Sequence, residues 1–395
     1  MEKGYRFLGE YIRQVDIRNK EGKKENLLGV SVQKQFIQSI ANTVGTDFTK
    51  YKVVKKGQFT YIPDTSRRGD KIAIALLEDY EEGLVSNVYT VFEVIDTEKL
   101  LPEYLMLWFS RPEFDRYARF KSHGSVREVM DWEEMCKVEL PVPDIEKQRK
   151  IVKAYKTITD RIALKQKIND NLVACIDTIF NEQFGNFKAL AESSTANTDF
   201  SSLPDGWTIE NAVHSFDISI GKTPPRSEPE WFTSNQTDNV WISIADMKTN
   251  SPFIFKSAEY LTNEAVKKHN VKIVPANSVL LSFKMTVGRV AIVTNEVTTN
   301  EAIAHFPCTK ETLFFVYCYL KNFNYGYLGS TSSITTAINS KIIKEMPFLM
   351  PSKKELDLFN RKVSGLFEQL KYISKELDIL EELSKMLLPQ LLGHC

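Results

Sequence analysis

The feature that most constrains this 395-residue chain is an internal repeat. A shift of 208 positions places the segment from Gly124 to Trp132 on the segment from Ser332 to Ser340, with Asp131 on Asn339. The same shift continues without a gap for about 60 residues, as far as Gly185 and Gly393. A repeat of this length sets the architecture before any local motif does. We therefore expect two copies of one domain, each followed by a long helix.

Both copies end in a stretch with coiled-coil spacing. From Leu356 to Leu391 apolar residues alternate spacings of three and four, interrupted at Ser384, and the first copy places Lys165 and Asn169 at two of the matching positions. Polar groups at such positions usually fix the register at some cost in stability. Two such helices in one chain pair most simply with each other, and a pseudo-two-fold axis makes the pairing antiparallel. The predicted seam contains Ile151, Ile158, Ile162, Leu172, Ile179, Phe359, Leu366, Leu370, Leu380 and Leu387.

The remainder of each copy mixes short strands and helices. In the second copy, residues 271–274, 279–283 and 288–293 predict strands, and residues 311–322 predict an apolar helix. The predicted fold class is α+β, with two mixed α/β domains related by an internal pseudo-two-fold repeat and separated by two long antiparallel coiled-coil helices. The predicted boundaries are 1–143 for the first domain, 144–185 for its helix, 186–202 for a small polar linker, 203–350 for the second domain and 351–395 for the second helix.

Composition by itself favours neither nucleic-acid binding, a metal site nor a membrane location. Lys and Arg equal Asp and Glu at 51 each, so no global positive field indicates nucleic acid. The five cysteines never fall two to four residues apart, which predicts neither a zinc site nor a compact disulfide framework. No apolar run approaches the roughly 18 residues of a membrane span, and the N-terminus lacks a signal-peptide core. We expect a cytoplasmic protein without a metal site.

The segment Gly221-Lys222-Thr223 could be mistaken for the end of a phosphate-binding loop. That pattern needs a glycine five positions earlier, where this chain has Phe216. The prolines that follow at 224 and 225 also prevent the immediate helix that would hold a phosphate. A turn is the simpler interpretation, either purely structural or with its lysine on a DNA phosphate.

Several stretches of the second half carry a family resemblance. In order they are Leu203-Pro-Asp-Gly-Trp207, Gly221-Lys-Thr-Pro-Pro225, Trp241-Ile-Ser-Ile-Ala-Asp-Met247 and Leu280-Leu-Ser-Phe-Lys-Met-Thr-Val-Gly288, with Pro351 opening the long helix. They resemble the target-recognition domain of the specificity (S) subunit of type I restriction-modification systems. The first half lacks the Pro-x-Gly-Trp and Gly-x-Thr-Pro motifs, although Leu140-Pro-Val-Pro is typical of the lead-in to that family's helix.

This resemblance implies a subunit that selects DNA sequences and is not itself an enzyme. Each recognition domain would read one half of a split double-stranded target, while the helices set the gap and dock two methyltransferase subunits. Adenine methylation and ATP-driven cleavage would belong to those subunits and to restriction/translocase subunits, so S-adenosylmethionine, ATP and Mg are expected on the partners and no cofactor in this chain. A helix from about residue 145 to 184 spans on the order of 60 Å, or roughly 17 base pairs.

Direct recognition of bases needs hydrogen-bonding side chains on loops, since Arg can form two hydrogen bonds to guanine and Asn or Gln can form two to adenine. The candidates are Arg67, Arg68, Lys71, Ser125 and Arg127 in the first half, and Lys222, Thr223, Arg226, Lys284, Arg289, Ser333 and Thr335 in the second. Residues 203–343 contain equal numbers of basic and acidic residues. We therefore expect the isolated second domain to bind DNA weakly and partner subunits to complete the DNA clamp.

Two alternatives stay open on the residues alone. A stand-alone nuclease with duplicated domains would need a metal-binding cluster of acids, for which Asp246-Met247-Lys248 is a weak candidate. A coiled-coil scaffold whose heads bind protein would show no sequence preference on DNA. The five histidines are isolated in sequence and predict ordinary surface or core roles.

Overall fold

The chain divides into two units, residues 1–161 with 381–395, and residues 162–380. A computed structural model describes residues 5–39, 45–65, 68–122, 128–193, 201, 203–248, 251–328 and 338–393. Each unit combines small sheets with a part of each of two long helices. Within the described ranges, none of the helices has both the length and the apolar character that crossing a membrane requires.

In the described part of the first unit, ten strands precede the three short α-helices and one strand follows them. In chain order its elements are β1 (Tyr5–Phe7), β2 (Ile12–Val15), β3 (Ile17–Arg18), β4 (Leu28–Val30), β5 (Phe36–Gln38), β6 (Lys52–Lys55), β7 (Phe59–Ile62), β8 (Ala73–Leu76), β9 (Glu82–Val85), β10 (Thr90–Val94), α1 (Pro102–Phe109), α2 (Pro112–Lys121), α3 (Trp132–Cys136), β11 (Glu139–Pro141) and the start of α4 (Ile145–Glu192). The main sheet has the order β2-β10-β7-β8 with antiparallel neighbours. Smaller sheets are β3-β6-β9, β4-β5 and β1-β11.

The second unit is built on a similar plan. Its elements are the rest of α4, β12 (Thr208–Asn211), α5 (Ala212–Ser215), β13 (Ser219–Ile220), β14 (Phe232–Thr233), β15 (Asn239–Ile242), β16 (Phe253–Ile254), β17 (Glu259–Leu261), α6 (Asn263–Lys268), β18 (Ser278–Ser282), β19 (Val290–Val293), β20 (Thr298–Thr299), β21 (Ile303–Pro307), α7 (Leu313–Asn322), α8 (Ser340–Glu345), β22 (Pro347–Met350) and most of α9 (Lys353–Leu392). The main sheet has the order β13-β21-β18-β19-β16, in which only the β16–β19 pair is parallel. A second sheet, β14-β17-β15-β20, and the pair β12-β22 complete the unit.

The sequence repeat is confirmed as a structural repeat. The four strands β2-β10-β7-β8 have the same order as β13-β21-β18-β19, and in each unit a two-stranded sheet leads into a long helix. Asp131 and Asn339, which the 208-residue shift superimposes, cap α3 and α8. Asp131 accepts a hydrogen bond from the Glu134 amide at 2.9 Å, and Asn339 accepts one from the Lys341 amide at 3.0 Å. Asp and Asn are favoured at this position because their side chains satisfy amides that the helix leaves unpaired.

The predicted secondary structure of the second domain is correct except at one strand. The strands expected at residues 279–283 and 288–293 are β18 and β19, and the expected apolar helix is α7. The strand expected at 271–274 is wrong: Val274 forms only an isolated bridge with Val297. Pro275 follows at once, and proline has no amide hydrogen with which to continue a ladder.

The helix α4 ends at Glu192, seven residues beyond the position 185 expected from the sequence. The equivalent glycine of the repeat, Gly393, does end its helix and has a φ of +86°. Tertiary contacts hold the additional turns of α4: the Phe187 ring lies 4.7 Å from that of Trp207, and Lys188 Nζ donates to a backbone carbonyl of α7 at 2.9 Å. Packing therefore extends α4 past its glycine.

Within the second unit, α4 and α9 run antiparallel. Gln183 donates to the carboxylate of Glu355 at 3.1 Å, whereas Lys165 pairs with Glu376 at 2.7 Å. Phe180 and Phe184 of α4 are fully buried in the core of this unit, together with Phe359 of α9. The apolar stripe of each helix consequently serves two purposes, since it joins the helices and also completes the core of the domain.

The first unit receives the other ends of the same helices. Leu388 and Leu392 of α9 belong to the core cluster that contains Ile151 of α4 and Trp108 of α1. The structure places the ten seam residues predicted from the sequence in buried or half-buried positions of their units. Buried are Ile151, Phe359, Leu370 and Leu380, and half-buried are Ile158, Ile162, Leu172, Ile179, Leu366 and Leu387.

Candidate nucleic-acid interface

The loop that follows β13 packs against the turn between β20 and β21. The Lys222 amide donates to the Thr299 carbonyl at 2.9 Å, and the Gly221 amide donates to the Ile303 carbonyl at 3.2 Å. A Cβ atom on Gly221 would lie 2.1 Å from the Asn300 carbonyl oxygen, so only glycine permits this approach. The indole of Trp241 holds the other side of the loop through the Lys222 carbonyl at 3.4 Å. The backbone is thus fixed on two sides while the Lys222 side chain is exposed.

Glu301 interacts with three of the residues predicted to contact DNA in this unit. Its carboxylate accepts a hydrogen bond from the Thr223 hydroxyl. Burial alone would raise the pKa of Glu301, but the Thr223 hydrogen bond and the charges of Lys284 and Arg226 outweigh it and leave the pKa below its ordinary value. Four residues from three separate segments therefore share one electrostatic environment. Glu301 is not among the residues predicted from the sequence, because basic and hydrogen-bonding side chains are those that indicate DNA contact.

Arg226 is exposed, but other residues of its own unit fix its side chain. Its guanidinium grips the Glu259 carboxylate with two hydrogen bonds of 2.7 and 2.8 Å. It also lies 4.0 Å from the ring centre of Phe232 and 4.8 Å from that of Trp241. The hydrogen bonds from Arg226 lower the pKa of Glu259, as a tight ion pair requires. Both terminal nitrogens of the guanidinium thus bind a carboxylate, and this ion pair helps to position the loop. DNA contact by Arg226 stays a prediction.

The hairpin formed by β18 and β19 carries Lys284 and Arg289. Lys284 is exposed. Arg289 is half-buried, and its Nη1 donates to the Ile244 carbonyl at 2.7 Å. That carbonyl belongs to the segment 241–247, so the base of the hairpin is tied to a neighbouring loop. Lys284 therefore extends from a hairpin whose base is held in place by the Arg289 hydrogen bond.

In the first unit the equivalent hairpin, β7 and β8, carries Arg68 and Lys71. Arg68 forms an ion pair of 2.7 Å with Asp64, and its side chain is 28% exposed. Lys71 is exposed. The remaining candidates, Arg67, Ser125, Arg127, Ser333 and Thr335, lie outside the described residues. The same connection of the repeated sheet consequently carries basic residues in both units.

The acidic residue considered for a nuclease has a structural role. The Asp246 carboxylate accepts hydrogen bonds from the Ser243 amide at 2.8 Å and from the Ala258 amide at 3.0 Å. Its oxygens thus close a turn and fix a neighbouring strand. Among the residues that the structure describes, no three His, Cys, Asp or Glu side chains come together as a metal site would require.

Comparisons with known proteins agree with these features. The sequence pattern of the family described as "Type I restriction modification DNA specificity domain" matches residues 9–174 and 215–385. The chain therefore belongs to the family of type I restriction-modification specificity subunits, and it contains two target-recognition domains. The interpretation as a stand-alone nuclease or a protein-binding scaffold receives no support.

Individual relatives cover most of the chain. The Type I restriction enzyme HindI specificity subunit of Haemophilus influenzae is 24% identical over 87% of both chains. The Type I restriction enzyme MjaIX specificity subunit of Methanocaldococcus jannaschii is 23% identical over 75% of this chain and 70% of its own length. The crystal structure of a type I restriction-modification S subunit from M. genitalium superimposes with a TM-score of 0.56 at 13% identity, covering 99% of this chain and 96% of that one.

Proposed function

We propose that this specificity subunit reads a split DNA target, one half with each target-recognition domain, while α4 and α9 set the unread gap. The observation that carries the proposal is the repeated hairpin. The β7–β8 connection holds Lys71, the β18–β19 connection holds Lys284, and both side chains are exposed. A pseudo-two-fold repeat that presents the same element twice fits a target with two half-sites, because half-site spacing follows from protein geometry.

The long helices give the scale of the gap. α4 contains 48 residues, which at 1.5 Å a residue makes a helix of about 72 Å. At 3.4 Å a base pair this length corresponds to roughly 21 base pairs, which gives the order of magnitude of the gap. Polar contacts such as the Lys165–Glu376 pair hold the two helices in one register. A fixed register would give a gap of fixed length.

The same helices present apolar side chains to solvent. Leu164 and Ile168 on α4 are 58% and 37% exposed, and Tyr372 and Ile379 on α9 are each 65% exposed. These residues lie at helical spacings of four and seven, so each pair lies along one side of its helix. We assign these faces to the docking of two methyltransferase subunits, since exposed apolar surface commonly marks a protein interface.

The proposal leaves the chemistry to other subunits. S-adenosylmethionine, ATP and Mg²⁺ would bind to the methyltransferase and restriction/translocase subunits, and this chain would bind double-stranded DNA without a cofactor in the cytoplasm. Because basic and acidic residues of the second domain are balanced, the partner subunits would supply much of the phosphate contact.

Co-expression with the cognate methyltransferase subunit, followed by genome-wide mapping of N6-methyladenine, tests the proposal. We expect one split motif that disappears when the gene is deleted. In the purified complex, Lys222→Ala/Lys284→Ala should weaken binding to a duplex with that motif and lower the salt slope of log Kd by about two. Lys272→Ala/Lys310→Ala removes two exposed lysines of the same domain and is the matched control. Unchanged methylation after deletion, or equal losses in both double variants, would overturn the proposal.

A further inference from the structure

Met285 has an unusual position at the tip of the β18–β19 hairpin. Its side chain is 99% exposed, whereas the next most exposed large hydrophobic residue in the described ranges, Phe120, is 80% exposed. Its φ is +59°, in the left-handed region that residues other than Gly, Asn and Asp rarely occupy. Both the exposure and the backbone conformation cost free energy. Neither contributes to the stability of the fold, which indicates a functional reason for this residue.

The hairpin is braced so that the tip keeps this conformation. The Ser282 hydroxyl donates to the Thr286 carbonyl at 2.6 Å and accepts from the Arg289 amide at 3.0 Å. The Gly288 amide donates to the Ser282 carbonyl at 3.0 Å. Gly288 has a φ of +88° and lies so close to the Tyr325 ring that a Cβ would be 3.2 Å from it. The apolar tip is therefore presented by a rigid support.

Charges near the tip identify the kind of partner. Lys284, the preceding residue, is exposed, and it shares the environment of Glu301 with Thr223 and Arg226. An apolar side chain beside a cation is complementary to the major groove of DNA. Phosphates lie along the edges of that groove, and the 5-methyl group of thymine is the apolar group exposed within it. A two-stranded ribbon is also narrow enough to enter that groove.

We propose that Met285 reads a thymine, its thioether packing against the 5-methyl group of one thymine in the half-site that the second domain reads. The inference rests on the proposed function, in which that domain contacts one half of the target. The methyl contact would supply sequence preference at one base pair, while Lys284 binds the neighbouring phosphate. Met285 is then a specificity residue that no basic or hydrogen-bonding pattern would reveal.

Deoxyuridine lacks only the 5-methyl group and therefore isolates this contact. The complex with the methyltransferase subunit is bound to duplexes carrying the mapped motif, with each thymine of the second half-site replaced singly by deoxyuridine. For the wild type we expect one replacement to weaken binding about four-fold, the value of one buried methyl group. Met285→Gly should bind the thymine and deoxyuridine duplexes equally. Its thermal midpoint should not fall, because glycine tolerates the positive φ.

Ile273→Ala removes another exposed apolar side chain of the second unit, 52% exposed and outside the long helices, and should retain the discrimination. If Met285→Gly discriminates as the wild type does, if no replacement weakens the wild type, or if the half-site contains no thymine, Met285 does not read a thymine. In each of these cases the split motif of the wild type still supports the proposed function. A wild-type motif with only one part would instead refute the proposed function itself.

Discussion

Replacing Gly221 by alanine should displace the loop after β13 and destabilise the second unit. The added Cβ would lie 2.1 Å from the Asn300 carbonyl oxygen and 2.5 Å from the Thr299 carbonyl oxygen, and both are backbone atoms that cannot rotate away. The loop must therefore shift, which breaks the hydrogen bonds of the Gly221 and Lys222 amides. Two lost hydrogen bonds cost about 2 kcal/mol, and overpacking adds about 1–3 kcal/mol.

The total of about 3–5 kcal/mol corresponds to a fall of about 10 °C in the melting temperature of a unit of this size. Differential scanning calorimetry of the full chain measures it. Gly365→Ala is the control: this residue is exposed within α9, and a Cβ there meets nothing within 4 Å. Alanine at that position should stabilise by about 1 kcal/mol. If Gly221→Ala melts no lower than Gly365→Ala, the contact with the Thr299–Asn300 turn does not hold the loop.

Two further perturbations test buried groups. Burial lowers the pKa of His305 from 6.5 to about 4, so the unfolded chain binds a proton near pH 6.5 that the folded unit does not bind. Stability should fall by about 3 kcal/mol as the pH drops from 6.5 towards 4, and urea unfolding of His305→Gln should show a smaller fall over that range. In the first unit, Asp115 pairs with Lys34 at 2.6 Å, with side chains 16% and 8% exposed. Asp115→Ala leaves a buried lysine without its partner and should cost about 3–5 kcal/mol, whereas adding Lys34→Met should restore much of that stability in the same unfolding assay.

The sequence predicted those parts of the fold that depend on local spacing or on the repeat. The 208-residue shift superimposes Asp131 on Asn339, and the structure shows that both residues cap a helix, since a cap depends only on its own side chain and the amides of the next turn. The pairing direction of α4 and α9 follows from the pseudo-two-fold repeat. The end of α4 could not be predicted, because it depends on Trp207 and on a carbonyl of α7 that are distant in sequence.

The candidate interface was less predictable for the same reason. Whether an arginine is available to read bases depends on acids that the fold brings to it, and Glu259, which holds Arg226, lies 33 residues away. Glu301 and Met285 carry no sequence signal of DNA contact, since one is acidic and the other apolar. Both stand out only through the fold. Glu301 lies close to Arg226 and Lys284, and Met285 is exposed at the tip of a braced hairpin.

The division of the long helices between the units also determines the order in which the protein can fold. Leu388 and Leu392 complete a core whose other members all precede residue 161. A ribosome therefore synthesises all of residues 162–380 before the first unit can close. At about 5–20 residues a second this takes about 10–45 s, during which the nascent first unit exposes an unfinished apolar core to chaperones and proteases. Domains usually fold in the order of their synthesis, but here the unit that emerges first closes last.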